Sequence, residues 1–182
     1  VWMKSNAKEV TEILNKEQTE AIKKGANLIV TGGEPLMQQE GIAKFINYIK
    51  EINPNVYIEI ETNGTILPSE ELIGLVNQWN CSPKLPNSGN SQYIFYNRTV
   101  IEKLNTLNTA FKFVVTTEKD WEDIKYFYLP VITRSKVWIM PSGENQELLN
   151  ESKQNVAELC KKEYLKMTNR LHIEIWNKKT GV

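Results

Sequence analysis

The chain has 182 residues, with 22 Lys or Arg and 22 Asp or Glu, so its formal net charge is zero. This length suits one domain with a substantial core. The balanced charge gives no support to nucleic acid, an acidic partner or a membrane surface as the binding partner.

The cysteines and the first residues of the chain limit which kinds of protein and which cellular location fit the sequence. Cys81 and Cys160 lie far apart, which argues against a disulfide framework and a CxxC-type metal site. No apolar run approaches the roughly 18 residues of a membrane span, and the first ten residues lack a signal pattern. We therefore expect a cytoplasmic protein. The start at Val1 and Trp2, rather than Met, indicates a piece of a longer protein or ordinary processing.

Helix and strand patterns alternate along the chain. An amphipathic helix is predicted over residues 5–25, with Ser5 or Asn6 as its cap and Gly25 as its stop. The apolar strand NLIVTGG follows, typical of a parallel sheet. The further predicted elements are a helix over 38–52, the strand VYIEIETNG, a helix over 69–78, a strand leading into CSPKL, the irregular stretch PNSGNSQYIFYNRT, a helix over 99–107, the strand AFKFVVTT, a helix over 119–127, the strand SKVWIMPSG, a helix over 146–166 and the strand RLHIEIW.

This alternation predicts an α/β fold with a parallel sheet, either open or curled into a barrel. No repeat or linker interrupts it, so we expect a single domain over residues 1–182. Ligands of such folds bind beyond the carboxyl ends of the strands. Five polar loops should share that rim: TGGEP, ETNG, SPKL, TTEKD and MPSGE.

The TGGEP loop exposes backbone and offers a carboxylate. Gly32 and Gly33 have no Cβ to obstruct a ligand, and Pro35 suits the first turn of a helix. An amino group could be held by backbone carbonyls and Glu34. The glycine pair alone favours a plain strand-to-helix turn without a ligand, whereas the full five-residue string is much rarer.

Two further segments carry polar groups. Glu59 and Glu61 share one side of their strand, which is either the lumen of a barrel or a solvent-exposed, antiparallel-like edge. The stretch CSPKLPNSG places a hydroxyl, a proline and a cation at a strand end, a set able to hold a carboxylate or ribose. An ordinary Pro-containing loop would look the same.

The nucleophile and metal motifs of common enzymes are absent from the sequence. Cys81 fits a buried apolar side chain better than a nucleophile, because no spacing brings it to His172, the only histidine. A structural role for His172 is favoured by its position in the alternating RLHIEIW stretch. Walker A, GxGxxG, HExxH and GxSxG motifs do not occur.

With TGGEP, ETNG, SPKL, FKFVV, MPSGE and RLHI in this order, the chain resembles the radical S-adenosylmethionine (SAM) superfamily, and within it the 7-carboxy-7-deazaguanine synthases. The resemblance runs from Asn27 to the C-terminus, and SPKLPNSG is its most specific part. It implies a partial (β/α)6 barrel that lacks the first strand and the cluster loop of that family.

The resemblance also implies which residues bind ligands. Contacts to SAM would come from three rim loops: Gly32, Gly33, Glu34, Ser82, Pro83, Lys84, Met140, Pro141, Ser142 and Gly143. Contacts to a pterin substrate would come from Thr31, His172 and the Val182 carboxylate. No catalytic residue can be assigned from the sequence.

The resemblance implies conversion of 6-carboxy-5,6,7,8-tetrahydropterin to 7-carboxy-7-deazaguanine, a carbon-nitrogen lyase reaction in queuosine biosynthesis. It would use SAM, a 4Fe-4S cluster and Mg²⁺, with an electron donor such as flavodoxin, in a homodimer. An activating-enzyme type of radical SAM chemistry would show the same GGEP motif. A cluster-free SAM- or pterin-binding relic, acting as a regulator or dimer partner, is the alternative from a different class.

One departure from the family concerns the cluster. The family holds its cluster with three closely spaced cysteines, and its magnesium with a Thr just after them, whereas this sequence has only two widely separated cysteines. We therefore expect that this polypeptide, as given, does not assemble the cluster or turn over.

Overall fold

In a computed structural model, the described residues are 14–88 and 96–179. They contain one six-stranded sheet in which every neighbouring pair is parallel and the strand order follows the chain order. The predicted α/β fold with a parallel sheet is confirmed. The strands are β1 (Leu28–Val30), β2 (Ile58–Thr62), β3 (Gln78–Cys81), β4 (Thr109–Val115), β5 (Val137–Pro141) and β6 (Lys166–Met167).

Helices connect these strands, and of the described helices one precedes β1 and another follows β6. They are α1 (Lys16–Lys23), α2 (Gln39–Ile52), α3 (Glu70–Leu75), α4 (Arg98–Thr106), α5 (Glu118–Phe127), α6 (Gln146–Glu163) and α7 (Leu171–Trp176). Short 3₁₀ turns lie at Pro35–Gln38, Pro86–Ser88 and Arg134–Lys136. Among the described helices, none combines the length and the apolar character that crossing a membrane requires.

The two faces of the sheet differ in burial. In β4, Phe111, Phe113 and Val115 are buried, whereas Lys112 and Val114, which alternate with them, are half-buried. A strand order that follows the chain, with right-handed crossovers, places the connecting helices on one face only, as in a curled barrel-type sheet. We call the other side the inner face; its residues are Ile29, Thr31, Glu59, Glu61, Gln78, Asn80, Ala110, Lys112, Val114, Trp138, Met140 and Lys166.

The core lies between the helices and the buried side of the sheet. Trp79, Phe111 and Phe113 contribute its largest strand side chains, each at most 1% exposed. Ile46 and Ile49 of α2 belong to the same core cluster and are also fully buried. Truncating any of these side chains to Ala should cost about 2–5 kcal/mol of stability.

The N-terminal helix begins later than the 5–25 pattern predicts. Asn15 is extended and caps α1 by accepting from the backbone N–H of Gln18, whose side chain accepts from the Asn15 N–H in return. This capping box sets the start of the helix. The proposed caps Ser5 and Asn6 lie outside the described residues.

The C-terminal region corrects two predictions. Helix α6 ends at Glu163, before residue 166, because Tyr164 adopts a left-handed conformation with φ of 53°. The predicted strand RLHIEIW is wrong: Leu171–Trp176 is helical, and the sixth strand is Lys166–Met167. Only Ile173 of this helix is buried, and Lys153 of α6 bonds Glu174 at 2.5 Å. The alternation of apolar residues in this stretch therefore resembled a strand pattern, although the segment is a helix that buries one side chain.

Candidate functional site

The Glu34 carboxylate joins the loops that follow β1 and β2. Its Oε1 accepts from the Leu36 N–H at 3.1 Å and from the Thr62 hydroxyl at 2.8 Å, and its Oε2 accepts from the Asn63 N–H at 2.7 Å. The side chain is only 7% exposed. Most of the acceptor capacity of this carboxylate is therefore used within the protein, and its main effect is to position the glycine loop.

The backbone of Gly32 and Gly33 remains open. Both residues are exposed, and a Cβ added to either would meet nothing within 4 Å. Beside them, the Thr31 hydroxyl donates to Glu61 Oε2 at 3.0 Å. Thr31 thus lies on the inner face next to the carboxylate of β2.

The structure decides between the two interpretations of Glu59 and Glu61. β2 lies between β1 and β3 and is parallel to both, so the antiparallel-edge alternative is wrong. Glu59 is half-buried and accepts from Asn80 Nδ2 at 2.8 Å, whereas Glu61 is exposed. Both carboxylates lie on the inner face.

Three contacts fix the loop that follows β3. The Ser82 N–H donates to the Thr62 carbonyl at 2.8 Å, which ties this loop to the one after β2. The hydroxyl of fully buried Tyr128 donates to the Lys84 carbonyl at 2.7 Å. Asn87 Nδ2 donates to Asp120 Oδ1 at 2.7 Å.

Asp120 also fixes the loop that follows β4. It is 3% exposed, and its Oδ2 accepts from the N–H groups of Thr116 and Thr117 at 2.7 and 2.8 Å. With Asn87 on its other oxygen, the carboxylate joins two rim loops. Such an arrangement holds the loops in place before any ligand arrives.

The loop that follows β5 is packed against α6. A Cβ on Gly143 would lie 2.5 Å from the Leu149 backbone nitrogen, so only glycine fits there. Arg170 Nη1 donates to the Gly143 carbonyl at 2.9 Å, and the Ser152 hydroxyl donates to the Ser142 carbonyl. The loop geometry therefore depends on both α6 and the segment before α7.

These loops enclose a cleft of about 710 Å³ at the carboxyl edge of the sheet. Ser82, Pro83, Lys84 and Ser142, all predicted SAM contacts, line it together. The other lining residues are Leu85, Pro86, Asn87, Val114, Thr116, Thr117, Lys119, Asp120, Asp123 and Arg170. Hydroxyls and cations dominate its polar wall, which suits the ribose and ring acceptors of a nucleoside.

The remaining predicted site residues lie elsewhere. Gly32, Gly33 and Glu34 belong to the loops after β1 and β2, outside the lining of this cleft. Met140 is half-buried on the inner face, and Pro141 is buried toward the helices. His172 is exposed on α7, and Val182 lies outside the described residues.

Neither cysteine suits ligation of an iron-sulfur cluster. Burial raises the pKa of the Cys81 thiol, and the nearby Glu34 carboxylate raises it further. Burial also raises the pKa of Cys160, which lies on α6. Over the described ranges, no group of three His, Cys, Asp or Glu side chains is placed to hold a metal ion. The described residues, which include both cysteines of the sequence, therefore do not fit a cluster.

Sequence reasoning did not single out Asp120, Tyr128 or Arg170. A signal existed for Asp120, because Thr117 and Asp120 have the spacing of a capping box at the start of α5. Tyr128 and Arg170 act through distant backbone carbonyls, at Lys84 and Gly143. No local sequence pattern predicts such contacts.

Several known proteins resemble this chain in sequence. A family model described as "4Fe-4S single cluster domain" matches residues 1–73. The 7-carboxy-7-deazaguanine synthase of Pyrobaculum aerophilum is 30% identical over 159 residues, covering 85% of this chain and 67% of that protein. The 7-carboxy-7-deazaguanine synthase of Halobacterium salinarum is 26% identical, covering 83% of this chain and 65% of that protein. The chain thus spans about two thirds of the length of these relatives.

Solved structures share the fold. QueE from Escherichia coli has a TM-score of 0.60 at 16% identity, covering 91% of this chain and 64% of that one. A domain of pyruvate-formate lyase-activating enzyme from Bacteroides vulgatus has a TM-score of 0.56 at 14% identity, covering 80% of this chain and 99% of that one. At these identities the likeness concerns the fold alone.

Proposed function

Because the chain belongs to the 7-carboxy-7-deazaguanine synthase family of radical SAM enzymes, we propose that its rim binds SAM beside a 6-carboxypterin substrate. The product would be 7-carboxy-7-deazaguanine, as the names of the relatives indicate. The observation that carries the proposal is the 710 Å³ cleft, which gathers Ser82, Lys84 and Ser142 from two loops.

SAM would extend along the rim in this proposal. The open backbone of Gly32 and Gly33 would take its methionyl amino group, and the cleft lined by Ser82 and Ser142 would take its adenosine. Glu34 and Asp120 hold these loops through buried hydrogen bonds, so little ordering is needed on binding. Thr31 and Glu61 would meet the pterin on the inner face.

In the proposed reaction, the bound ligand and the protein have different roles. In this family, SAM would supply the radical chemistry when it is bound. The residues of this chain would orient the ligands and exclude water from them, which is the usual part of the protein in cofactor enzymes. His172 and Val182 stay predicted substrate contacts, and the homodimer, Mg²⁺ and an electron donor such as flavodoxin stay predictions.

Binding and turnover test the proposal separately. Isothermal titration should show that the chain binds SAM and that Ser142→Trp, which fills the cleft, weakens binding at least about tenfold. Tyr126→Trp, on an exposed helix surface, is the matched control. No SAM binding by the folded chain would contradict the proposal.

A cluster-free role as a SAM- or pterin-binding protein is the second candidate. The observation that favours it is the burial of Cys81 and Cys160, the only cysteines of the sequence. Anaerobic reconstitution with iron and sulfide, followed by product analysis, separates the two. Turnover by the chain alone would contradict our expectation that it cannot assemble the cluster, whereas turnover only after addition of an upstream cysteine loop would support it.

A further inference from the structure

Lys112 is a cation on the inner face that no assigned role explains. It lies at the middle of β4, where the alternation of burial directs its side chain away from the helices. It is half-buried and makes no hydrogen bond or ion pair with any of the described residues. An ammonium group that no described residue binds can form a charged hydrogen bond with an anionic group of a ligand.

Neighbouring groups do not neutralise Lys112. On one side, Lys112 is paired in register with Trp138 of β5. On the other side, β3 ends at Cys81, which is paired with Phe111, so the next residue, Ser82, lies beside Lys112. Glu59 and Glu61 lie on the same face, but they accept from Asn80 and Thr31. The strand register therefore places Lys112 on the inner face, between Ser82 and Trp138.

We infer that Lys112 binds the carboxylate of the pterin substrate and so determines specificity for a 6-carboxy group. This inference rests on the proposed function and names a residue that recognises the acid group of its substrate. A carboxylate is the complementary partner of an ammonium group, and their charged hydrogen bond is among the stronger ones in proteins. On the same face, Thr31 and Glu61 can meet the ring system at the other end.

SAM also carries a carboxylate, but the strand positions favour the substrate. Gly32 and Gly33, where the methionyl group would lie, follow β1, whereas Lys112 is on β4, three strands away. At about 4.8 Å per strand, that is roughly 14 Å along the sheet. The methionyl carboxylate is attached next to the amino group, so it would remain near β1.

Binding of two stable pterins tests the inference without any turnover. Fluorescence titration of the 182-residue chain should show tighter binding of 6-carboxypterin than of pterin, by about tenfold, the ratio typical for one charged hydrogen bond. Lys112→Met should remove this preference and leave pterin binding unchanged, and Lys112→Arg should retain most of it. Lys24→Met, at an exposed position, is the control for loss of a charge.

The possible results test the inference about Lys112 and the proposed function separately. Equal affinities of the unaltered chain for the two pterins would overturn the inference, even if Lys112→Met fails to fold. A preference that survives in Lys112→Met would also overturn it, as would a loss of SAM affinity with the preference intact. If the folded chain bound neither pterin nor SAM, the proposed function itself would fall.

Discussion

Thr62 Oγ1 lies 2.8 Å from Glu34 Oε1 and donates a hydrogen bond to it, although the two residues are 28 positions apart in the chain. The same hydroxyl accepts from the Gly64 N–H at 3.1 Å. The two glycines of the first rim loop thus owe their position to the end of the neighbouring strand. Substitutions at these buried residues should therefore affect both stability and ligand binding.

Glu34→Gln should destabilise the protein by about 1–3 kcal/mol, because one buried N–H or hydroxyl donor then faces the amide NH₂ instead of an oxygen. Urea unfolding measures the loss, and SAM titration should show weaker binding as the glycine loop loosens. Glu51→Gln, at an exposed position, serves as the control and should change stability by less than about 0.5 kcal/mol. Equal stability of the two variants would contradict the role of the buried carboxylate.

Gly64→Ala should be strongly destabilising. Gly64 has φ of +76°, and an added Cβ would lie 2.7 Å from Cys81 Sγ and 3.0 Å from Ile101 Cδ1. We expect a loss of about 2–4 kcal/mol, from overpacking together with backbone strain. The matched control is Gly74→Ala in α3, where nothing lies within 4 Å and Ala should stabilise the helix by up to about 1 kcal/mol. Adding Cys81→Ala should recover part of the loss, which a purely backbone effect would not allow.

The buried thiol of Cys81 should make stability fall at alkaline pH. Burial raises its pKa in the folded state, whereas the unfolded thiol ionises near its ordinary value of about 8.5. Its contribution is therefore complete below about pH 8.5 and is lost as pH rises above that, by about 1.4 kcal/mol per pH unit. Urea unfolding between pH 8.5 and 10 should show a smaller slope for Cys81→Ala. An unchanged slope would contradict burial of the thiol.

Tyr128→Phe should weaken SAM binding through the loop after β3. It removes the hydroxyl that holds the Lys84 carbonyl at 2.7 Å and leaves the fully buried ring in place. Stability should fall by about 0.5–1.5 kcal/mol, and the dissociation constant for SAM should rise several-fold. Tyr126→Phe, at a residue that is 77% exposed, should change neither quantity. SAM affinity that is unaffected in Tyr128→Phe would show that the loop keeps its shape without this contact.

Local patterns predicted most of the sheet and its rim. Strands such as AFKFVVTT combine β-branched and aromatic residues with clear boundaries, and parallel pairing then placed the predicted loops on one edge. RLHIEIW misled, because alternation over a few residues does not distinguish a strand from a short helix that buries one side chain, Ile173. The supports at Tyr128 and Arg170 were not predictable, because they are contacts over 44 and 27 positions to backbone carbonyls.

The strand order has a consequence for folding kinetics. Each strand pairs with the strands next to it in the chain, so each pairing in the described sheet encloses a single connection. A growing chain can add one strand-helix unit at a time to the sheet already formed. The first and last strands have only three and two residues, which offers little backbone to another molecule at either edge. We therefore expect stepwise folding with a low tendency toward edge-to-edge aggregation.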